Sequence, residues 1–308
     1  MCRTIDWGDT ALKKRINNRR ALPNGVNPQH FHKSQLKIYA YVIPIAAVMA
    51  LPILYIFINA FKPISELMAY PPRFYVKSPT LENFKSLFNL SSGTAIPMSR
   101  YLFNSVIVTA ATVFANIYIS VTAGYTLSKK QFRTKNFILT ANTIALSFIT
   151  VAVAIPRYFI IYYTGLQNNF LSNIIPLIVT PTCIFLTKQF IDQLPNALIE
   201  AAIIDGASDY QILRKIVVPL VTPTLATVAM LSFQSAWNAT EASTLFLDNE
   251  SLKTFAYYMG ILPSNVGNAV AGMGISAAGT LIMFLPNLVL FIILQSRVMN
   301  TMAHSGIK

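Results

Sequence analysis

The residues with the most specific spacing lie in the segment 195–211, PNALIEAAIIDGASDYQ, which we call the elbow. Asn196 has the side chain of an N-cap, so the sequence predicts a short helix over 197–205. Gly206 supplies the left-handed residue at which helices commonly end. The chemistry that such a turn can offer is the binding of a partner rather than the making or breaking of covalent bonds.

The predicted helix carries two kinds of side chain suited to contact with a partner. Ala201 and Ala202 give it a small-residue face that permits close approach, while Glu200 and Asp205 place two acids in an otherwise basic part of the chain. Docking is the interpretation that this pattern favours. An ordinary interfacial loop between two membrane spans is the alternative.

A second helix is predicted immediately after the turn. Ser208 and Gln211 have the spacing of a capping box, in which each side chain bonds the backbone N–H of the other residue. Pro219 is expected to bend this helix, because proline has no backbone N–H and crowds the preceding turn.

Composition places these helices in a membrane protein. Hydrophobic residues make up 54% of the 308 and charged residues 11%, against roughly 25% in an average soluble domain. A bilayer-spanning helix needs about 20 mostly apolar residues. A soluble enzyme is therefore excluded, and the uncharged stretches predict an all-α fold of about six spans, at 38–61, 101–126, 138–162, 173–188, 216–238 and 271–295.

Basic residues set the expected orientation. With the amino terminus inside, the inner segments and Lys188 hold 17 Lys and Arg residues and the outer segments hold 6, and such an excess marks the cytoplasmic side. The net charge of +13 is then a topology signal, and no nucleic-acid partner is expected. The basic run at 13–20 is expected to hold its tail inside, with anionic-lipid binding as the alternative. The predicted organisation is a basic cytoplasmic tail (1–37), a six-helix transmembrane domain (38–295) with the elbow in its loop at about 189–215, and a cytoplasmic carboxyl-terminal tail (296–308).

The sequence predicts no catalytic, cofactor-binding or metal-binding residue. The phosphate-loop, dinucleotide and zinc-protease patterns are absent, and Cys2 and Cys183 form no cluster with His. No Asp or Glu lies inside a predicted span, which argues against an ion-coupled carrier. If this protein does work, the energy and the chemistry are expected to come from another subunit.

A longer pattern around the elbow resembles a known motif. Glu200-Ala201-Ala202, Asp205-Gly206-Ala207, Ile216 and Pro219-Leu220 have the spacing of the EAA motif of ABC importer permeases. From about residue 38 to the end, the chain is similar to the second permease of carbohydrate importers of the maltose type. The supporting residues are Pro71-Pro72, Asn83, Asn104-Ser105, Ala123, Tyr125, Phe132 and Trp237-Asn238.

The resemblance implies a type I ABC importer permease that is not itself an enzyme. ATP and Mg²⁺ would bind a partner ATPase dimer on the cytoplasmic side, and the chain would bind no cofactor. A second homologous permease would complete a heterodimer in the bacterial plasma membrane, and an extracellular solute-binding protein would deliver a carbohydrate. A non-sugar solute, or a receptor that transports nothing, are the alternatives. The residues expected to couple to the ATPase are Glu200, Ala201, Ala202, Asp205, Gly206 and Ala207.

Arg157 lies within the third predicted span, where an Arg at the bilayer centre costs about 2.5–3.5 kcal/mol. One hypothesis is that it lines the translocation path with Tyr158, Tyr162 and Asn238 and meets an acidic group on a glycan. The alternative is that it snorkels to outer headgroups, with the tyrosines in an interfacial belt. The family usually has an acid after Trp-Asn, where this chain has Ala239, and this departure bears on solute specificity. A second departure is Leu213 in place of the usual Phe.

Overall fold

The computed structural model describes residues 35–71, 73–89, 96–149, 151–265 and 269–305. All regular secondary structure in these ranges is helical, which confirms the all-α prediction. Short 3-10 turns at Phe170–Asn173, Ile175–Leu177 and Glu250–Leu252 and a π-helical turn at Leu213–Val217 accompany the α-helices. In chain order these are α1 (Gln35–Phe61), α2 (Ile64–Leu67), α3 (Glu82–Asn89), α4 (Met98–Lys129), α5 (Lys135–Ser147), α6 (Ala154–Tyr163), α7 (Pro181–Asp192), α8 (Asn196–Ile204), α9 (Asp209–Ile212), α10 (Val218–Leu220), α11 (Thr222–Trp237), α12 (Glu241–Leu245), α13 (Phe255–Asn265) and α14 (Ala269–Ser305).

The described residues contain fewer candidate membrane spans than the six expected from the sequence. By length and composition, the described residues contain four helices that could cross a bilayer, at Leu36–Phe61, Met98–Lys129, Phe170–Asp192 and Gly272–Gln295. A fifth span is obtained if the bent pair Asp209–Leu220 and Thr222–Leu245 counts as one.

The third predicted span, 138–162, is not one helix. Helix α5 ends at Ser147 and α6 begins at Ala154, so that Pro156 falls in the first turn of α6. Proline fits there because the backbone N–H that it lacks would have no partner within the helix. The apolar composition of the stretch gives no sign of this interruption.

The chain divides into two compact units, residues 1–55 and 56–308. In the first unit, the described part of α1 carries exposed apolar side chains along its length and contains Pro44 and Pro52. Prolines are tolerated in membrane helices more readily than in soluble ones. The basic run at 13–20, like the rest of residues 1–34, lies outside the described residues.

In the second unit, α4 is the central helix. Its 32 residues extend about 48 Å at 1.5 Å per residue, and it packs against α7, α11 and α13, while α11 also packs against α14. Gly124 lets α4 approach α7 closely, since a Cβ there would lie 3.1 Å from Thr187 Cγ2. Small residues at such crossings are typical of membrane helix packing.

Two groups of buried side chains stabilise the second unit at opposite ends of α4. One surrounds Tyr101 and includes residues of α3, α13 and α14, with Leu87, Phe255 and Ala278 at its centre. The other surrounds Tyr125 and lies beneath the elbow; we call it the elbow core. Its buried members are Tyr125, Ile191, Ile199, Ala202, Ile212, Val217 and Val221.

Asn83 closes the carboxyl-terminal end of α1. Its buried side-chain amide donates to the backbone oxygens of Lys62 at 2.7 Å and of Ala60 at 3.0 Å, groups that a helix end leaves without partners. Gly274 of α14 lies against the same amide, and a Cβ there would be 2.7 Å from Asn83 Oδ1. One side chain therefore joins three segments.

We expect Asn83→Leu to lower the free energy of unfolding by about 1–3 kcal/mol, the usual effect of leaving buried carbonyl groups without donors. Thermal unfolding of the purified protein in detergent measures the change. Glu82→Gln, at an exposed position one residue away, is the matched control. Equal unfolding midpoints for Asn83→Leu and the control would contradict this role.

Candidate functional site

The first helix of the elbow, α8, begins at Asn196 and not at residue 197. Pro195 is its N-cap residue, and no side chain caps the helix. The Asn196 side-chain oxygen instead accepts a hydrogen bond of 2.8 Å from Lys129 Nζ. The predicted N-cap role of Asn196 is therefore wrong: proline fixes the extended entry to the helix, and the ammonium group of Lys129 takes the amide oxygen.

Gly206 ends α8 as predicted. Its φ of +76° is left-handed, and the two hydrogen bonds of a Schellman motif are present. The Ala207 N–H donates to the Ala202 oxygen at 2.9 Å, and the Gly206 N–H donates to the Ile203 oxygen at 3.0 Å. The turn between the two elbow helices is thus fixed by backbone bonds.

The predicted capping box of the second elbow helix is also confirmed. The Ser208 N–H donates to Gln211 Oε1 at 2.8 Å, and the Gln211 N–H donates to Ser208 Oγ at 3.4 Å. The chain continues through the π-helical turn into α10 and then bends by 83° into α11. The bend predicted near Pro219 is present, at Val221, where α10 ends and α11 begins with Pro223 in its first turn.

Most of the predicted coupling residues lie at the surface of the elbow. Glu200, Ala201, Asp205 and Gly206 are exposed, and Ala207 is half-buried. Ala202 is different, because it is 7% exposed and belongs to the elbow core. The expectation that both alanines form an open face is therefore corrected: Ala202 faces inward, since it shares the inner side of α8 with Ile199.

A set of contacts that sequence reasoning missed holds the elbow to α4; we call it the brace. Lys129 Nζ donates to the Leu194 oxygen at 2.7 Å as well as to Asn196, and Lys130 pairs with Asp209 at 2.5 Å. The hydrogen bond to Asp209 raises the pKa of Lys130 above its ordinary value. In the sequence, the only signal was a pair of lysines at the end of a span.

Arg157 has an acidic partner within the chain. Its guanidinium donates to Glu241 Oε2 at 2.5 Å, and the side chains of Arg157 and Glu241 are 26% and 29% exposed. Both sequence hypotheses gave Arg157 an external partner, either a glycan acid or a lipid headgroup. The structure supplies a third arrangement, in which the charge is neutralised by a residue 84 positions away.

The pair lies in a cavity of about 670 Å³, which we call the Arg157 cavity. Other polar side chains in its lining are those of Thr180, Thr182, Ser235 and Thr240, and its apolar lining includes Phe148. Three breaks in helical structure meet around it: between α5 and α6, before α7, and after α11. In a bilayer, non-helical backbone is tolerated where it is buried in protein or lines water, so this arrangement is suited to an aqueous cavity.

The other predicted substrate-path residues do not join Arg157 there. Tyr158 is half-buried and stacks on Tyr162, with ring centroids 6.4 Å apart, and neither is among the described lining residues of the cavity. Asn238 is exposed and donates to the Gln234 oxygen at 2.9 Å. It lines a separate cavity of about 310 Å³ with Met230, Gln234, Phe284, Asn287 and Leu290.

Glu241 is the cavity residue that sequence reasoning missed. The sequence held a usable signal, because an acid directly follows the predicted fifth span and a lone Arg lies near the same end of the third. The family usually has an acid at the position of Ala239, and in this chain an acid, Glu241, lies only two residues further on. Arg157 and Glu241 therefore form an ion pair in the structure, although sequence reasoning assigned neither of them a partner within the chain.

Comparison with known proteins identifies the family to which this chain belongs. Residues 116–296 match the family described as the binding-protein-dependent transport system inner membrane component. The chain belongs to this family. It is a multi-pass membrane permease, as the elbow motif predicted, and the matched region contains the elbow and every described lining residue of the Arg157 cavity.

Curated relatives of the permease resemble it along most of its length. The sulfoquinovosyl glycerol transport system permease protein SmoH of Agrobacterium fabrum is 27% identical over 259 residues, which cover 83% of this chain and 88% of SmoH. The arabinooligosaccharides transport system permease protein AraQ of Halalkalibacterium halodurans is 28% identical over 266 residues, 86% of this chain and 93% of AraQ.

The fold of the permease also matches a solved structure. A chain in the crystal structure of a bacterial ABC transporter involved in the import of the acidic polysaccharide alginate superposes with a TM-score of 0.73 at 20% identity. The match covers 87% of this chain and 99% of the other. This likeness establishes the type I permease fold.

We expect Gly206→Ala to loosen the elbow, because a left-handed conformation costs a non-glycine residue about 1–2 kcal/mol. Hydrogen–deuterium exchange over residues 196–212 should quicken by roughly 5–30-fold, the equivalent of that energy. Gly206→Asn is the matched variant, since Asn tolerates this conformation better, and its exchange should stay closer to that of the unmodified protein. Unchanged exchange in Gly206→Ala would contradict the assignment.

Proposed function

We propose that this permease forms half of the translocation path of an ATP-driven importer for a carbohydrate. The transport systems named for its relatives act on sulfoquinovosyl glycerol and arabinooligosaccharides, which supports a carbohydrate cargo. The observation that carries the coupling role is an exposed helix ended by Gly206, with acids that no packing within the described chain requires. The ATPase acts on this chain through the elbow, and the solute passes through the Arg157 cavity.

The surface of the elbow has the composition of a docking site. Leu198, Ile203 and Ile204 are exposed, Ile204 to 86%, beside Glu200 and Asp205. Asp205 lies at the carboxyl-terminal end of α8, where the helix macrodipole disfavours a negative charge. An acid in this position does not stabilise the isolated helix, so a basic partner surface accounts for it better.

The partner is an ATPase dimer on the cytoplasmic side, which binds ATP and Mg²⁺, while this chain binds no cofactor. Glu200, Ala201, Asp205, Gly206 and Ala207 contact the ATPase, and Ala202 supports them from the elbow core. When the ATPase domains close, they displace the elbow. The brace and the elbow core pass this displacement to α4 and, through the bend at Val221, to α11.

The remaining parts of the assembly lie beside and outside this chain. A second homologous permease completes a heterodimer around the path, and an extracellular solute-binding protein delivers the carbohydrate to its outer mouth. The complex lies in the bacterial plasma membrane with both termini of this chain in the cytoplasm. The basic residues of 1–37 hold the amino terminus inside, as the positive-inside rule expects.

Charge reversal at the elbow tests this proposal. In the reconstituted complex, Glu200→Lys combined with Asp205→Lys should abolish the stimulation of ATPase activity by loaded binding protein, because the two introduced lysines repel a basic partner surface. The α8 helix should persist, since a lysine at position 205 suits the macrodipole. Binding protein purified from the same bacterium with its bound sugar is the stimulus.

Glu82→Lys reverses the charge of one exposed acid, in α3 and away from the elbow, and should leave stimulation intact. Stimulation that survives the double reversal would refute coupling through the elbow. The carbohydrate cargo would be refuted if the binding protein that stimulates the ATPase activity is found to carry no sugar.

A further inference from the structure

We propose that the Arg157–Glu241 ion pair makes the Arg157 cavity selective for an uncharged, hydroxyl-rich solute, with Glu241 as the residue that rejects anionic sugars. This inference rests on the proposed function and deepens it, because it names the substrate class that the path accepts. It also reverses the expectation that Arg157 would bind an acidic glycan.

The charge balance of the cavity is the first observation. Arg157 alone would attract a carboxylate or a sulfate, but Glu241 lies 2.5 Å from its guanidinium. Every other described lining residue of the cavity is uncharged. The cavity therefore has no net charge, and an anion that approaches the guanidinium is also repelled by the Glu241 carboxylate.

The hydrogen-bonding capacity of the pair is the second observation. Glu241 Oε1 is buried and has no hydrogen-bond partner among the described residues, while the guanidinium has five N–H donors, one of which bonds Glu241 Oε2. The guanidinium thus has unused donors next to a carboxylate. Hydroxyl oxygens can accept from these donors without placing a second negative charge beside Glu241, whereas a carboxylate brings one.

The shape and lining of the cavity agree with such a solute. Its volume of about 670 Å³ falls within the roughly 300–1,000 Å³ typical of small-molecule sites. Thr180, Ser235 and Thr240 add hydroxyls, and Leu146, Phe148 and Leu177 supply apolar surface. A sugar ring presents hydroxyls at its edge and C–H groups on its faces, so both kinds of lining find a counterpart.

Binding of matched sugars to the whole complex tests the inference. Equilibrium dialysis against the complex in lipid nanodiscs, without binding protein, would use labelled cellobiose, maltose and galactobiose. Each is paired with its counterpart in which one C6 hydroxymethyl is oxidised to a carboxylate. At least one neutral disaccharide should bind at least about tenfold more tightly than its acid, the equivalent of one charge-assisted hydrogen bond.

Three variants give the result its meaning. Glu241→Gln frees Arg157 and should reduce the preference for the neutral sugar by about tenfold or more, whereas exchanging the two residues, Arg157→Glu with Glu241→Arg, should restore it. The exchange also serves if Glu241→Gln fails to assemble. Glu250→Gln, which breaks the separate Lys253–Glu250 pair outside the cavity, should change nothing.

The inference is overturned if the unmodified complex prefers the acids, if it binds no member of any pair, or if the preference is the same in Glu241→Gln. The failure of the proposed function looks different. There, ATPase stimulation survives charge reversal at the elbow, whatever the dialysis shows. If ATPase stimulation depends on the elbow acids but the binding preference is the same in Glu241→Gln, the importer function is supported and the selectivity role of Glu241 is refuted.

Discussion

The structure depends above all on one constraint: inside a bilayer, backbone N–H and C=O groups that leave a helix must find protein or water. This chain breaks its helices at three places that meet around one cavity, and it places an ion pair there. Continuous helices would have met the constraint without any cavity. The breaks are consistent with water at membrane depth, and water is what a path for a polar solute requires.

The elbow connects the Arg157 cavity to the surface on which the ATPase is proposed to act. Its turn is fixed by backbone bonds around Gly206, so a force on its surface moves the elbow as a unit. The elbow core joins α8 to residues of α4, α7 and the Val221 bend, and the brace adds bonds from the end of α4. Since α11 runs from that bend to the rim of the Arg157 cavity, one helix connects the elbow core to the cavity.

Features set by nearest neighbours in the chain could be predicted from the sequence. The left-handed Gly206, the capping box of Ser208 and Gln211, and the bend near Pro219 all depend on residues within a few positions of one another. The apolar stretches predicted helices for the same reason. The interruption before Pro156 was missed because composition alone does not register where a proline falls within an apolar run.

Features set by distant residues could not be predicted. From the sequence Asn196 looks like an N-cap, but in the structure its side-chain oxygen accepts a hydrogen bond from Lys129, 67 positions away. Ala202 looks open until the elbow core is assembled around it, and Arg157 looks unpaired until α6 and α12 bring it to Glu241. In each case tertiary contact decides between two local possibilities, and a single sequence does not record which segments meet.

We expect the Arg157 cavity to hold water and the elbow to switch access to it. The most direct measurement is the labelling of Ser235→Cys, in a protein without Cys2 and Cys183, by an impermeant thiol reagent added outside proteoliposomes of the whole complex. Ser235 lines the cavity and is exposed. We predict different labelling rates in the nucleotide-free and ATP-trapped states, and no difference once Glu200 and Asp205 are reversed in charge. The absence of labelling in both states, or equal rates in both, would contradict the account.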